Sequence, residues 1–174
     1  MDALLVIDVQ CGMFANPAMQ PHHGEAVVER IAGLIARARA AGAQVIFVRH
    51  DGGPGDVLER GQPGFELRPE LAPRPGEAVV TKRFPSAFQE TELADLLAEL
   101  DIRNIFVCGM QTEYCVDTTC RSAFEKGLTV SLIVDGHTTF DNGVISAAEI
   151  VRHHNATLAS GFVSPLEASA YPSR

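Results

Sequence analysis

The sequence predicts a single α/β domain in which a parallel sheet is covered by helices on both faces. Short apolar segments alternate with segments of helical pattern, and this alternation is typical of β–α–β units. The apolar segments are apolar throughout rather than at every second residue, as expected for strands that are buried on both sides. The 174 residues allow one complete hydrophobic core and are too few for two full domains, so we expect one domain over 1–174.

Each predicted element follows from a local pattern. Runs of mainly apolar residues predict strands at 3–9, 43–50, 77–82, 104–109, 128–134 and 156–161. The intervening segments predict helices at 24–43, 90–100, 115–126 and 144–155. In the first of these, Val27, Ile31 and Leu34 recur at helical spacing. Segment 51–76 is rich in Gly and Pro, which predicts a long loop, and loops of this length are often functional.

Composition and charge narrow the possible partners. The chain has 22 acidic and 14 basic side chains and a formal net charge of -8, so its surface repels phosphate backbones and we expect no nucleic-acid partner. No segment approaches the ~20 apolar residues of a membrane span. The N-terminus lacks the basic start and the long apolar core of a signal peptide, so we expect a cytoplasmic protein with reduced thiols. The cysteines show no C-x-x-C spacing, which disfavours a structural zinc site.

Several polar residues stand where the predicted strands end. Asp8 ends the first strand, His50 the second and Lys82 the third, and Cys115 opens the helix after the fourth. In open parallel sheets, ligands bind beyond the carboxyl ends of the strands, near the point where strand order reverses. If the first and fourth strands flank that reversal, Asp8 and Cys115 face each other across the crevice.

Cys115 has the surroundings of a reactive thiol. A helix N-terminus offers unpaired N–H groups and the positive end of the helix dipole, and a nearby lysine lowers the pKa of a thiol further. Asp8 is placed to take the thiol proton and to pass it to a leaving group. The backbone N–H groups of Gln111 and Cys115 are candidates for an oxyanion hole.

The cysteines of this sequence allow two other interpretations. A lone cysteine is most often a small core residue, and this is the favoured interpretation for Cys11, Cys108 and Cys120. Cys115 and Arg121 also have the C-x5-R spacing of phosphatase and rhodanese loops. Such loops cradle an oxyanion with successive N–H groups and usually carry glycine. Here the segment has no glycine and contains Asp117, which would repel an anion.

Three motifs together resemble those of the isochorismatase-like cysteine hydrolases. They are VIDVQ around Asp8, TKRFPSAF at Lys82 and GMQTEYCVDTT around Cys115. That superfamily includes nicotinamidases, N-carbamoylsarcosine amidohydrolase and streptothricin hydrolase, and the resemblance runs from Asp8 to about Asn155. The segments RHDGGPGD and HHNATLA look most similar to the streptothricin hydrolase branch.

The resemblance implies a six-stranded parallel sheet and a catalytic triad of Asp8, Lys82 and Cys115. It implies a cis peptide between Met110 and Gln111, which would aim the Gln111 N–H into the oxyanion hole, and a homo-oligomer, either a dimer or a tetramer. The implied activity is hydrolysis of a small amide, lactam or carbamoyl compound through a thioester, without a cofactor.

Two departures refine that expectation. Nicotinamidases carry an Asp-x-His metal site after the second strand and a further His in the long loop, whereas this chain has RHDGG there and no His in 52–136, so no metal is expected. Isochorismatase itself has glycine in place of the nucleophile, so Cys115 favours attack on a carbonyl over vinyl ether hydrolysis.

A substrate pocket is expected from aromatic and polar residues on loops at the carboxyl ends of the strands, where aromatic rings are suited to a planar or cyclic substrate. Gln10 is expected to orient Asp8 or Lys82. Two alternatives to the hydrolase remain, a binding protein without turnover and a redox sensor that pairs Cys115 with Cys108 or Cys120. The predicted pocket residues are Phe14, His50, Phe84, Tyr114 and Phe140.

Overall fold

The six strands found among residues 1–171, the part of the chain that the computed structural model describes, form one parallel sheet. Its order is β3-β2-β1-β4-β5-β6, so the order reverses between β1 and β4 and the predicted fold class is confirmed. The strands are β1 (Asp2–Ile7), β2 (Gln44–His50), β3 (Ala78–Lys82), β4 (Asn104–Met110), β5 (Thr129–Thr138) and β6 (Ser164–Leu166).

Helices cover both faces of the sheet. The α-helices within residues 1–171 are α1 (Gly24–Ala40), α2 (Leu93–Glu99), α3 (Asp117–Glu125) and α4 (Ala147–Ala159). Side chains alternate between the two faces along a strand. Leu4 and Val6 of β1 therefore join the core beneath α1, while Leu5 and Ile7 join the core beneath α2 and α3. No helix in this part of the chain is long and apolar enough to cross a membrane.

The last predicted strand, 156–161, is wrong. Helix α4 continues through this segment to Ala159, and β6 begins only at Ser164. Ser146 and Glu149 form a reciprocal capping box that fixes the start of α4, and Leu158 is fully buried on its apolar side. The helix that starts at this cap therefore includes most of segment 156–161. The segment is strand-like only when its apolar residues are considered in isolation.

The fifth strand and the third helix also differ from expectation. Strand β5 runs on to Thr138, so Asp135 and His137 lie within it rather than after it. The helix predicted to open at Cys115 begins as a π-helical turn, Thr112–Val116, and continues as α3 from Asp117. Cys115 is therefore held inside the turn that leads from β4 into α3.

The long Gly- and Pro-rich segment forms a loop, as predicted, with only two short 3-10 turns, Pro63–Phe65 and Pro69–Leu71. It is tied to the carboxyl end of the sheet by Gln10, which forms an isolated antiparallel bridge with Leu67 and donates from Nε2 to the Phe65 carbonyl at 2.8 Å. The loop therefore lies over the edge where the strands end.

Candidate active site

The reversal of strand order brings the three predicted triad side chains together. Lys82 Nζ lies 2.6 Å from Asp8 Oδ2 and 3.2 Å from Cys115 Sγ. The same nitrogen lies 3.2 Å from His50 Nδ1. Lys82 is 1% exposed and Asp8 is 0% exposed, so this contact is a desolvated ion pair. A lysine ammonium has three N–H donors, and three possible acceptor atoms, on Asp8, His50 and Cys115, lie around this one.

The ends of three strands place these groups. Asp8 has φ 52, a left-handed conformation that Asp tolerates better than most residues. It ends β1, and its N–H donates to the Val48 carbonyl of β2. His50 and Lys82 are register partners at the ends of β2 and β3, which explains why their side chains meet.

The turn that carries Cys115 depends on a glycine. Gly109 has φ +124, and a Cβ at this position would lie 2.1 Å from the Ile7 carbonyl oxygen. Only glycine therefore allows β4 to approach β1 this closely. The next peptide bond, between Met110 and Gln111, is cis, as the resemblance implied. The π-helical turn with Cys115 follows directly, and the predicted oxyanion-hole residues Gln111 and Cys115 lie on this one turn.

Burial dominates the protonation of the cluster. It raises the pKa of Asp8, and the ammonium of Lys82 only partly offsets this effect. Burial, followed by the charge of Asp8, raises the pKa of the Cys115 thiol to about 12. The sequence-based expectation of a lowered thiol pKa is therefore wrong for the resting site. Lysine is adjacent as expected, but desolvation and the carboxylate outweigh it, so the resting thiol is protonated.

Asp8 is available to accept that proton. Neither of its carboxylate oxygens has a hydrogen-bond partner of good geometry among residues 1–171, although Lys82 Nζ lies only 2.6 Å from Oδ2. This short contact is the charge–charge interaction of a buried ion pair. Oδ1 therefore keeps its accepting capacity.

His50 completes the surroundings of Lys82. Burial, together with the positive charge of Lys82, lowers the pKa of His50, so its ring is neutral. The Nδ1 atom that faces Lys82 is then the acceptor, which assigns the ring proton to Nε2. The neighbouring Asp51 is paired with arginine, since its Oδ2 lies 3.5 Å from Arg60 and 3.3 Å from Arg83. Within residues 1–171 no group of three or more His, Cys, Asp or Glu is placed to hold a metal.

A buried hydrogen-bond network, which was not predicted from the sequence, supports the turn that carries Cys115. Thr112 Oγ1 lies 2.8 Å from His137 Nδ1, and His137 Nε2 lies 2.8 Å from Asn155 Oδ1. Asn155 Nδ2 donates to the Val134 carbonyl, which leaves its Oδ1 as the acceptor for the histidine. Burial lowers the pKa of His137 to about 4, so the ring is neutral and its tautomer is fixed. The sequence signal was a histidine inside an apolar segment, with Asn155 far away on α4.

Gln10 does not contact the residues that it was predicted to orient, Asp8 and Lys82. Its side chain donates to the His50 carbonyl at 2.9 Å and to the Phe65 carbonyl at 2.8 Å, and it accepts from the His50 N–H at 2.8 Å. It bonds neither Asp8 nor Lys82 among the described residues. Gln10 therefore supports the site indirectly, by joining the long loop to the end of β2.

A cavity of about 420 Å³ adjoins the Cys115 turn. Of the predicted pocket residues, Tyr114 and Phe140 line it, and His50 lies deeper, against Lys82. Phe14 does not line it, because its ring packs beneath the Arg68 guanidinium at 4.5 Å. Phe84 is half-buried and lies outside the lining as well. The full lining is Gly12, Met13, Asn16, Met19, Val57, Gln111, Glu113, Tyr114, Thr139, Phe140, Asp141 and Asn142.

The C-x5-R spacing has a structural explanation. Arg121 donates to both oxygens of Asp117, at 2.7 and 3.1 Å, four residues apart on α3. The guanidinium is thus engaged within the helix. Cys108 and Cys120 are fully buried, as predicted for core residues, Cys11 is half-buried, and the described chain contains no disulfide.

Comparison with known proteins agrees with this architecture. Residues 2–160 match the model of the isochorismatase domain. The chain belongs to the isochorismatase family. It is 41% identical over 139 residues to a streptothricin hydrolase of Streptomyces noursei, a match that covers 80% of this chain and 50% of that protein. The chain thus spans about half the length of the streptothricin hydrolases it matches. It is 28% identical to the ureidoacrylate amidohydrolase RutB of Azorhizobium caulinodans, over 70% of this chain and 69% of that protein.

Solved structures of the isochorismatase family share the whole fold. A putative hydrolase of this family from Chromobacterium violaceum superposes with a TM-score of 0.91 at 33% identity, over 97% of this chain and 90% of that one. A cysteine hydrolase from Pseudomonas syringae pv. phaseolicola superposes with a TM-score of 0.88 at 28% identity, over 97% and 89% of the two chains. The chain is therefore a member of a hydrolase family that includes amidohydrolases.

Proposed function

We propose that this protein is a cysteine-dependent amidohydrolase that cleaves a C–N bond in a small amide, lactam or carbamoyl compound through a thioester intermediate. The observation that carries the proposal is the cluster around Lys82 Nζ, in which a carboxylate and a thiol lie 2.6 and 3.2 Å from one buried ammonium. The names of the related hydrolases support the same class of reaction.

The first step is proton transfer from Cys115 to Asp8. Before transfer the cluster holds a carboxylate, an ammonium and a neutral thiol, and afterwards it holds a neutral acid, an ammonium and a thiolate. The net charge is zero in both states, so the buried site does not have to absorb a new charge. Burial raises the pKa of Asp8, which makes it a stronger base than an exposed aspartate. Lys82 stabilises whichever neighbour carries the negative charge.

The remaining steps use groups of this chain and water. The thiolate attacks the carbonyl carbon, and the N–H groups of Gln111 and Cys115 stabilise the oxyanion. Collapse breaks the C–N bond as Asp8 returns its proton to the leaving nitrogen. Water then attacks the thioester, gives a proton to Asp8 and releases the acid. That proton returns to Cys115.

The redox-sensor alternative is weaker on the same geometry. A sensor thiol is an accessible thiolate with a resolving partner. The candidate partners Cys108 and Cys120 are both 0% exposed, and burial raises the pKa of each thiol above its ordinary value. The resting Cys115 thiol is protonated as well.

The test is hydrolysis of a panel of amides, lactams and carbamoyl compounds, followed as ammonia release for primary amides and carbamoyl compounds and as the ring-opened product by mass spectrometry for lactams. We expect turnover of at least one class by the wild type and none by Cys115→Ala, while Cys120→Ala, a matched change of a buried core thiol, keeps turnover. Turnover that persists in Cys115→Ala would contradict the proposal. Equal inactivity of all three proteins on every compound would favour the binding-protein alternative.

The homo-oligomer stays a prediction, as does the cytoplasmic location. Apolar side chains are exposed at the mouth of the cavity, with Met19 at 56%, Val57 at 55% and Tyr114 at 53%. Exposed apolar groups on one surface are typical of a contact between proteins. Light scattering during size-exclusion chromatography measures the mass directly, and a mass of 18.7 kDa would contradict the oligomer.

A further inference from the structure

His50 stands on the strand that the Lys82 side chain has to cross to reach its partners. The sheet order is β3-β2-β1-β4, so β2 separates Lys82, at the end of β3, from Asp8, which follows β1. Adjacent strands lie about 4.8 Å apart, so β3 and β1 are about 10 Å apart. His50 ends β2 and is the register partner of Lys82. The lysine side chain therefore extends past His50 toward the carboxylate.

The imidazole and the ammonium lie on the same face of the sheet. Val48 and Val80 belong to one buried cluster of the core. His50 and Lys82 stand two residues further along these strands, and side chains two residues apart in a strand share a face. Cys115 packs against the same cluster. This placement brings His50 Nδ1 to 3.2 Å from Lys82 Nζ, on the side of the sheet that carries the thiol.

The backbone of His50 is fixed by a buried side chain. Gln10 is 0% exposed, accepts from the His50 N–H at 2.8 Å and donates to the His50 carbonyl at 2.9 Å. Both backbone polar groups of His50 are thus engaged at the end of β2. A group that must hold another in place needs such support from its neighbours. The imidazole is therefore presented to Lys82 from a fixed position.

The three contacts of the Lys82 ammonium are unequal. Asp8 Oδ2 lies 2.6 Å from Nζ and is charged, whereas Cys115 Sγ and His50 Nδ1 each lie 3.2 Å away and are neutral in the resting site. Hydrogen bonds between oppositely charged groups are shorter and stronger than those to neutral acceptors. The carboxylate alone would therefore draw the ammonium away from the thiol. With one N–H held by His50, the other two remain directed at Asp8 and Cys115.

A neutral acceptor suits this place better than an anion or an apolar group. An ammonium only donates, so Nδ1 is the acceptor, and burial with the charge of Lys82 lowers the pKa of His50 and keeps its ring neutral. A further carboxylate would compete with the Cys115 thiolate for the ammonium. An apolar side chain would leave an N–H of a charged group unpaired, and Lys82 is 1% exposed, so solvent does not replace the partner.

We propose that His50 is a positioning residue of the active site, whose Nδ1 holds the Lys82 ammonium where it reaches both the Asp8 carboxylate and the Cys115 thiol. The inference rests on the proposed amidohydrolase function and adds a residue to its machinery. His50 neither gives nor takes a proton in the reaction. Loss of the acceptor lowers formation of the thiolate, and with it the chemical step, more than it lowers substrate binding.

The experiment compares His50→Asn with His50→Leu. The two new side chains branch alike, and Asn Oδ1 is separated from Cα by the same number of bonds as His Nδ1, so only Asn keeps an acceptor at that place. One measurement is kcat and KM for an amide that the protein hydrolyses. The other is the rate at which iodoacetamide alkylates Cys115, followed by tandem mass spectrometry that distinguishes Cys115 from the other cysteines.

We expect His50→Leu to lower both kcat and the alkylation rate by roughly 10–100-fold with little change in KM, the size expected for one hydrogen bond to a charged group. His50→Asn should restore most of both rates. The matched control is His153→Leu, a change of an exposed histidine on α4, which should leave both measurements at the wild-type value. Urea unfolding checks that each variant is folded, and His50→Ala replaces His50→Leu should the apolar side chain prevent folding.

Wild-type rates in His50→Leu would refute the positioning role. Equal losses in His50→Asn and His50→Leu would refute the acceptor, and a loss confined to KM would place the ring against the substrate instead.

The alkylation rate separates failure of this inference from failure of the proposed function, because it needs no substrate. If no amide is turned over but Cys115 is alkylated faster in His50→Asn than in His50→Leu, the role of His50 stands and the amidohydrolase fails. If amides are turned over through Cys115 and the two His50 variants are alike in both measurements, the role of His50 fails and the amidohydrolase stands. Absence of turnover together with equal alkylation of the two variants would refute both.

Discussion

His137 should make the protein sensitive to acid in a defined direction. The ring is 3% exposed between Thr112 and Asn155, and its pKa falls from 6.5 to about 4 on folding. Between those values the unfolded chain binds a proton that the folded protein does not, so stability falls as pH falls. The contribution is fully present above pH 6.5 and is lost progressively toward pH 4. The difference between these two pKa values corresponds to about 3 kcal/mol of folding free energy.

The assay is urea unfolding of the wild type and of His137→Gln at pH 7.0 and at pH 4.5. From pH 7.0 to pH 4.5, the free energy of unfolding of the wild type should fall by about 2 kcal/mol more than that of the variant. This is the share of the His137 contribution that is lost between these two pH values. His153→Gln, a change at an exposed position on α4, is the control and should follow the wild type.

Asp8 acts with the opposite sign, because its raised pKa stabilises the folded state at low pH and this stabilisation is lost as pH rises. It is present in all three proteins and cancels in the difference. Equal pH dependence of the wild type and His137→Gln would refute the neutral buried histidine and the network built on it.

Three further predictions concern the site directly. Gly109→Ala should lower the free energy of unfolding in urea by about 3 kcal/mol or more. The added Cβ would lie 2.1 Å from the Ile7 carbonyl oxygen, and residue 109 has φ +124. Near-wild-type stability would contradict the close approach of the two strands. Lys82→Met should abolish turnover. It should also lower the free energy of unfolding by roughly 3–5 kcal/mol, because Asp8 is then buried without its counter-ion. Retained turnover would refute a role for the ammonium. The apparent pKa of the acid limb in the pH profile of kcat/KM should lie above the ordinary aspartate value of about 3.9. Burial raises the pKa of Asp8, and protonation of Asp8 removes the base for Cys115. An apparent pKa at or below about 3.9 would refute this assignment.

The fold and the cluster at its centre were predictable because both follow from short-range patterns. Apolar runs that alternate with helical segments specify a parallel sheet, and the reversal of its order places residues that end different strands side by side. Asp8 and Cys115 stand at such ends, so their approach follows from sequence order together with topology. The place of Lys82 between them was predicted only by the resemblance to the cysteine hydrolases.

What escaped prediction depends on long-range packing. The thiol pKa of Cys115 is set by how deeply the fold buries it, and its helical position gives no measure of that burial. Gln10 was expected to orient Asp8 or Lys82, but its side chain joins the long loop to β2 instead. Phe14 was expected in the pocket, but its ring packs against Arg68.

Rapid-quench mass spectrometry of the protein during turnover of an amide that it hydrolyses tests the Cys115 thioester most directly. We expect a mass increase equal to that of the acyl group, confined to the peptide that contains Cys115 and absent from Cys115→Ala, which does not turn over. Steady turnover in Cys115→Ala, or an adduct on another residue of the wild type, would contradict a Cys115 thioester.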